Sequence, residues 1–163
     1  IGSASRVFEV GKETYTLGVL VQSNFGEMEN LRLDGKPIGR ELTQQLASSE
    51  PDKGSIMIVA ATDMPVTSRQ LRRIIKRAGV GLARLGSFWG HGSGDIVIGF
   101  STAQRICSEE SSGTIVLRAL NEEYINIPFS AMADATEEAV VRSMMEAGPV
   151  GNRHSLAEFV KRR

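Results

Sequence analysis

KGSIMIVAAT, residues 53–62, holds the junction on which the fold turns. A stretch of small and polar residues at 44–54 (QQLASSEPDKG) ends in Gly54, and Ser55 then opens a continuous apolar run. An apolar run without polar alternation predicts a strand buried on both faces. The stretch ahead of it reads as an exposed, flexible loop. A second run of the same kind, Leu17-Gly18-Val19-Leu20-Val21, lies within a strand expected at 14–22. Gly18 inside that run suggests a bulge or a close backbone approach.

Working outward, RVFEV (6–10) reads as another strand, joined to 14–22 by a turn at Gly11-Lys12-Glu13. Asp34-Gly35 within LRLDGKPIGR (31–40) is a hairpin signal. On the other side of the junction, a helix is expected from Thr67. Thr67 and Gln70 have capping-box spacing, and Leu71, Ile74, Ile75, Ala78, Leu82 and Leu85 share one face at helical period. Gly79 and Gly81 each weaken such a helix by about 1 kcal/mol relative to Ala, so close packing is expected there. Gly86 serves as its C-cap, and the Gly-rich loop 86–95 (GSFWGHGSGD) leads into the strand IVIGF. Short strands are expected at 114–120 and 124–127. A second helix follows Pro128 over roughly 129–147, stopped by Gly148-Pro149. Strands on both sides of two long helices predict a layered α/β domain.

Composition narrows the function. The 163 residues hold 19 basic and 19 acidic side chains, and a net charge of zero argues against bulk electrostatic binding to nucleic acid. No apolar run reaches the roughly 20 residues of a membrane span. The N-terminal residues lack a signal-peptide layout, so a cytoplasmic location is expected. A single cysteine, Cys107, excludes an internal disulfide framework and a cysteine-rich zinc site, and two histidines make no His-rich metal site. No cofactor is expected. Residue 1 is Ile rather than Met, which reads as a piece of something longer or a processed product.

Chemistry could reside at two places. At Gly54-Ser55 the plain reading is a loop-to-strand turn. The sharper one is self-cleavage: the glycine accepts a strained backbone, and the serine hydroxyl attacks the preceding carbonyl. Water then releases an ester, leaving a chain that begins with Ser55. Its α-amine, with an ordinary pKa of about 7.7–8.0, can act as a base beside the hydroxyl. The second place is Gly90-His91-Gly92-Ser93-Gly94-Asp95, where Ser93 and Asp95 are two apart and so face one side at a strand start. A hydroxyl and a carboxylate together can orient an amine or relay a proton. A tight turn with a solvated acid is the plain alternative. A phosphate cradle lacks the following helix that it needs. His91 invites a Ser/His/Asp reading that only geometry can decide. Asn24, at the exit of a buried strand, could donate to an oxyanion or simply occupy a turn. Arg69, Arg72, Arg73, Lys76 and Arg77 form a basic helix face, suited to nucleic acid or simply to solvent.

TLGVLVQSNFG (16–26), LRLDGKPIGR (31–40), GSIMIVAATDMPVTSRQLRRIIKRAGVGLARLGS (54–87) and GHGSGDIVIGFST (90–102) together resemble the L-aminopeptidase/D-esterase family, which includes the β-peptidyl aminopeptidases. The resemblance runs across nearly the whole chain. It implies an αββα sandwich like that of N-terminal-nucleophile hydrolases, here partial, in an oligomer of two-fragment protomers. It implies cleavage between Gly54 and Ser55, with Ser55 as nucleophile, Ser93 and Asp95 assisting and Asn24 stabilising the oxyanion. Residues 1–54 would then be the remnant of a first fragment and 55–163 the second, within one structural domain. The implied substrates are short peptides, amides or esters with a free amino end; on charge and apolar run length, no nucleic-acid or membrane partner is expected. The alternatives are an inactive fragment with a structural or oligomerisation role and a nucleic-acid binder using the basic face.

Overall fold

The computed structural model describes residues 1–46, 54–150 and 155–161. Four strands, β1 (Gly2–Val10), β2 (Glu13–Asn24), β3 (Ser55–Thr62) and β4 (Ile96–Ser101), form one sheet in the order β1-β2-β3-β4. β1 and β3 both run antiparallel to β2, while β4 is parallel to β3. A parallel pair needs a crossover. Two helices supply it here, α2 (Ser68–Ile75) and α3 (Ala78–Arg84). Helix α1 (Gly39–Leu46) precedes β3, and α4 (Asn126–Glu146) and α5 (Leu156–Lys161) follow β4.

The core lies between one face of the sheet and α2, α3 and α4. Leu17, Val19 and Val21 of β2 alternate inward, as do Ile56, Ile58 and Ala60 of β3. They meet Ile74, Leu82, Met132 and Val140 from the helices. Each fully buried aliphatic side chain here contributes about 1.5–3 kcal/mol. Ser23 and Ser143 share a hydrogen bond of 2.6 Å where β2 meets α4. Arg6 of β1 reaches Glu138 of α4 at 2.6 Å.

Among the described residues, the other face of the sheet is uncovered. Leu20, Met57, Ile96, Ile98 and Phe100 stand there in register, Ile98 52% and Phe100 49% exposed. The apolar run of β3 therefore packs on one side only within the described residues. One sheet and one helical layer make half of an αββα arrangement. Contiguous exposed apolar rows of this kind commonly mark contact surfaces.

Several expectations need correction. The helix expected from Thr67 is two helices. α2 opens with the anticipated capping box, Thr67 accepting from Gln70 N–H and Gln70 returning the bond, but the chain turns at Lys76-Arg77 before α3. The apolar spacing keeps its phase across the turn, so periodicity could not show it. Both glycines of α3 lie in close contacts: a β-carbon on Gly81 would come 2.5 Å from the Ala133 carbonyl oxygen of α4. Asp34 and Gly35 do take left-handed angles, but they close a single bridge, Leu33↔Lys36, and α1 starts at Gly39 instead of a second strand. Residues 44–46 belong to α1, and 47–53 of the expected loop lie outside the described residues. Gly18 pairs regularly with Ser5 and Ala61, with neither bulge nor tight contact. Residues 114–120 join no strand, and Val116 is almost fully exposed. At 122–124 the chain forms a 3-10 turn capped by the Asn121 side chain, and α4 begins at Asn126 rather than after Pro128.

Candidate active site

The β2–β3 register ends with Asn24 opposite Ser55. Paired residues send their side chains to the same face, so both leave the sheet on its uncovered side, in the rows of Leu20 and Met57. Gly54 precedes Ser55 and lies against β2: a β-carbon there would fall 1.6 Å from the Asn24 carbonyl oxygen. The glycine anticipated for backbone freedom is thus required by a backbone crossing.

The loop from Gly86 to Asp95 brings its far end to this point. Gly94 N–H donates to Ser55 Oγ at 3.0 Å, and a β-carbon on Gly94 would stand 3.3 Å from that oxygen. Asp95 Oδ1 accepts two bonds, from Ile56 N–H at 3.0 Å and from Ser93 Oγ–H at 2.5 Å. The carboxylate is therefore tied to the residue that follows Ser55. The structure brings Ser55, Ser93 and Asp95 near one another: Ser93 and Asp95 bond each other, and Ser55 is linked to them only through the backbone amides of Gly94 and Ile56, with Asn24 across the ladder. Sequence reasoning missed the two backbone donors, Gly94 N–H and Ile56 N–H. The signal for the first was a glycine between the two polar residues.

Other candidates stay outside this cluster. His91 is exposed in the turn, and the hydrogen bonds of Asp95 go to Ser93 and Ile56. Cys107 is exposed. On the basic helix face, Arg69 and Arg73 both bond Glu122, whose carboxyl is held below its ordinary range chiefly by Arg73. Arg77 stacks 3.8 Å from the Phe129 ring centroid. That leaves much of the face occupied by internal partners. Among the described residues no group of three or more His, Cys, Asp or Glu is placed to hold a metal ion. Among them, too, no helix is long and apolar enough to cross a membrane. A cavity of 710 Å³ lies between α1, α4 and α5. Asn24 reaches its wall, while Ser55, Ser93 and Asp95 do not.

An aligned uncovered sheet, a serine at a strand start and an adjoining Ser/Asp pair can be set beside known proteins. Residues 1–157 match the sequence model of peptidase family S58. The β-peptidyl aminopeptidase BapA of Sphingosinicella microcystinivorans is 39% identical over 160 residues, covering 90% of this chain and 40% of that protein. The PH0078 protein of Pyrococcus horikoshii superposes with a TM-score of 0.84 at 42% identity, over 98% of this chain and 45% of its own. The L-aminopeptidase D-Ala-esterase/amidase of Ochrobactrum anthropi, a prototype for the serine aminopeptidases and a variant of the Ntn-hydrolase fold, gives 0.81 at 38% identity. There the match covers 92% of this chain and 41% of that one. The chain thus has the Ntn-hydrolase type of fold and spans about two-fifths of the length of the relatives it matches.

Proposed function

The chain belongs to peptidase family S58, and from that premise we propose that it is the nucleophile-bearing part of a self-processing serine aminopeptidase. Its substrates are short peptides, amides or esters with a free amino end. Ser55 Oγ attacks the Gly54 carbonyl carbon, the Gly54–Ser55 C–N bond breaks, and its nitrogen takes up the hydroxyl proton. Water hydrolyses the resulting ester, leaving a carboxylate on Gly54 and a free amine on Ser55. Residues 1–54 and 55–163 then become the two sides of one domain.

In turnover, the Ser55 α-amine takes the hydroxyl proton as Oγ attacks the substrate carbonyl, and an acyl-enzyme forms as the leaving amine or alcohol departs with a proton. Asn24 offers its amide to the oxyanion. Asp95 and Ser93 orient the amine and relay its protons. Hydrolysis of the acyl-enzyme restores Ser55. The observation that supports this reading best is the double tie at the strand start: Gly94 N–H on Ser55 Oγ, and Asp95 on the amide of the next residue.

The proposal includes a cytoplasmic oligomer of two-fragment protomers. The uncovered apolar face supports burial of this sheet against a further layer. That same face favours one second reading, an inactive structural piece. Intact-mass measurement separates the two when combined with hydrolysis of a fluorogenic aminoacyl amide. The enzyme reading requires two masses that meet between Gly54 and Ser55, and release of the fluorophore. A single uncut mass with no release supports the structural piece.

A further inference from the structure

The loop that carries Ser93, Gly94 and Asp95 is pinned at both ends. At its start Gly86 takes φ 95°, and a β-carbon there would lie 1.8 Å from the Asn30 carbonyl oxygen. At its end stand the bonds to Ser55 and Ile56. Between them two residues break local rules. Trp89, a bulky residue, takes φ 55°, in the left-handed region that disfavours a side chain. Gly79 sits inside α3, where glycine is a poor choice.

One contact accounts for both. The Trp89 indole lies over Gly79, so that a β-carbon at 79 would come 2.8 Å from Cζ2 and Cη2. The missing side chain in α3 is the seat for the ring. The ring, half exposed, rests on that seat while the Trp89 backbone keeps the left-handed φ. Five residues later the same loop delivers Gly94 N–H to the Ser55 hydroxyl.

We propose that the Trp89–Gly79 contact is a latch that fixes the 90–95 segment, and that Trp89 is a positioning residue for self-cleavage and turnover at Ser55. The proposal rests on the reading of Ser55 as nucleophile. It acts through the loop, since the two bonds at Ser55 and Ile56 depend on where residues 94 and 95 sit.

The chain has one tryptophan, so its fluorescence reads the latch without a label. In the complete protein, with any tryptophan outside these 163 residues replaced by Phe, Gly79→Ala should displace the ring, moving emission to longer wavelength and raising acrylamide quenching. The fraction of uncut chain should then fall about tenfold more slowly and kcat should drop about as much, with KM within about twofold. Trp89→Gly should slow cleavage comparably, and Trp89→Phe should recover part of the rate. In the Trp89→Gly background, Gly79→Ala should add nothing, because the ring that it displaces is gone. An equal further loss in that background overturns the latch and assigns Gly79 to helix packing. Unchanged cleavage despite a shifted emission overturns it as well. The emission shift is also measured in Ser55→Ala protein, where it must persist if the latch is real. Failure of the Ser55 reading shows separately, as two fragments from that same variant.

Discussion

The carbonyl of Asn24 passes directly over the α-carbon of Gly54, leaving a β-carbon at that position only 1.6 Å from the oxygen. The acyl side of the Gly54–Ser55 bond is therefore pressed against the end of β2. The serine side opens β3 on the same ladder. Gly54→Ala must push the two strands apart there, at a cost of about 1–3 kcal/mol. The expected result is an uncut chain, or cutting slowed at least about tenfold, followed by mass spectrometry over time. Normal cutting would show that the crossing does not hold the scissile carbonyl.

Asp95 is the common acceptor for Ile56 N–H and the Ser93 hydroxyl. Asp95→Asn keeps the shape but removes the negative charge that would steady a protonated amine. Turnover of an aminoacyl amide should fall by about 10²-fold or more, and the melting temperature should change little. Loss of melting temperature in proportion to activity would assign Asp95 to the fold alone.

Gly81 gives a test of packing free of the site. Alanine there gains about 1 kcal/mol in helix propensity, but its β-carbon would stand 2.5 Å from the Ala133 carbonyl and 2.9 Å from Thr136 Cβ. Overpacking of this kind costs about 1–3 kcal/mol. Gly81→Ala should therefore lower the melting temperature, read by circular dichroism. A rise would mean that α3 and α4 can separate freely.

Acid stability should depend on Glu138. Hydrogen bonds from Arg6, then Arg142, hold its carboxyl below the ordinary range. A carboxylate depressed in the folded state stabilises it above its unfolded value of about 4.3, and that contribution disappears as pH falls through the lower folded value. Glu138→Gln should lower the melting temperature at pH 7 and converge with the wild type near the acid end. Equal differences at both pH values would count against the Arg6–Glu138 tie between β1 and α4.

The elements most legible in the sequence were those whose own residues decide them. β3 and the inner row of β2 follow from apolar runs, and the start of α2 from Thr67 and Gln70. What could not be read depends on partners. Residues 114–120 have strand-forming side chains but no neighbouring strand among the described residues, and β propensity measures fit to a half-buried pleated surface rather than backbone preference. α1 was hidden because GRELTQQL is polar and its first residue fits only beneath the Met28 carbonyl. At the candidate site, Ser55, Ser93, Asp95 and Asn24 stand out as side chains, whereas the two donors belong to the backbone: Gly94 shows only as a glycine between two polar residues, and Ile56 N–H leaves no mark in residue type.

The ladder from Leu17↔Thr62 to Asn24↔Ser55 joins what lies before the proposed cut to what lies after it. Severing the chain at the first residue of β3 would leave that ladder and the core beneath it whole, so the processed protein would unfold as a single body. Its return would be another matter. The tether through residues 25–54, whose closure entropy grows only slowly with length, would be gone, and two separate chains would have to find one another. Refolding would become second order and fail on dilution, and the persistence of the mature protein would be governed by how slowly it opens.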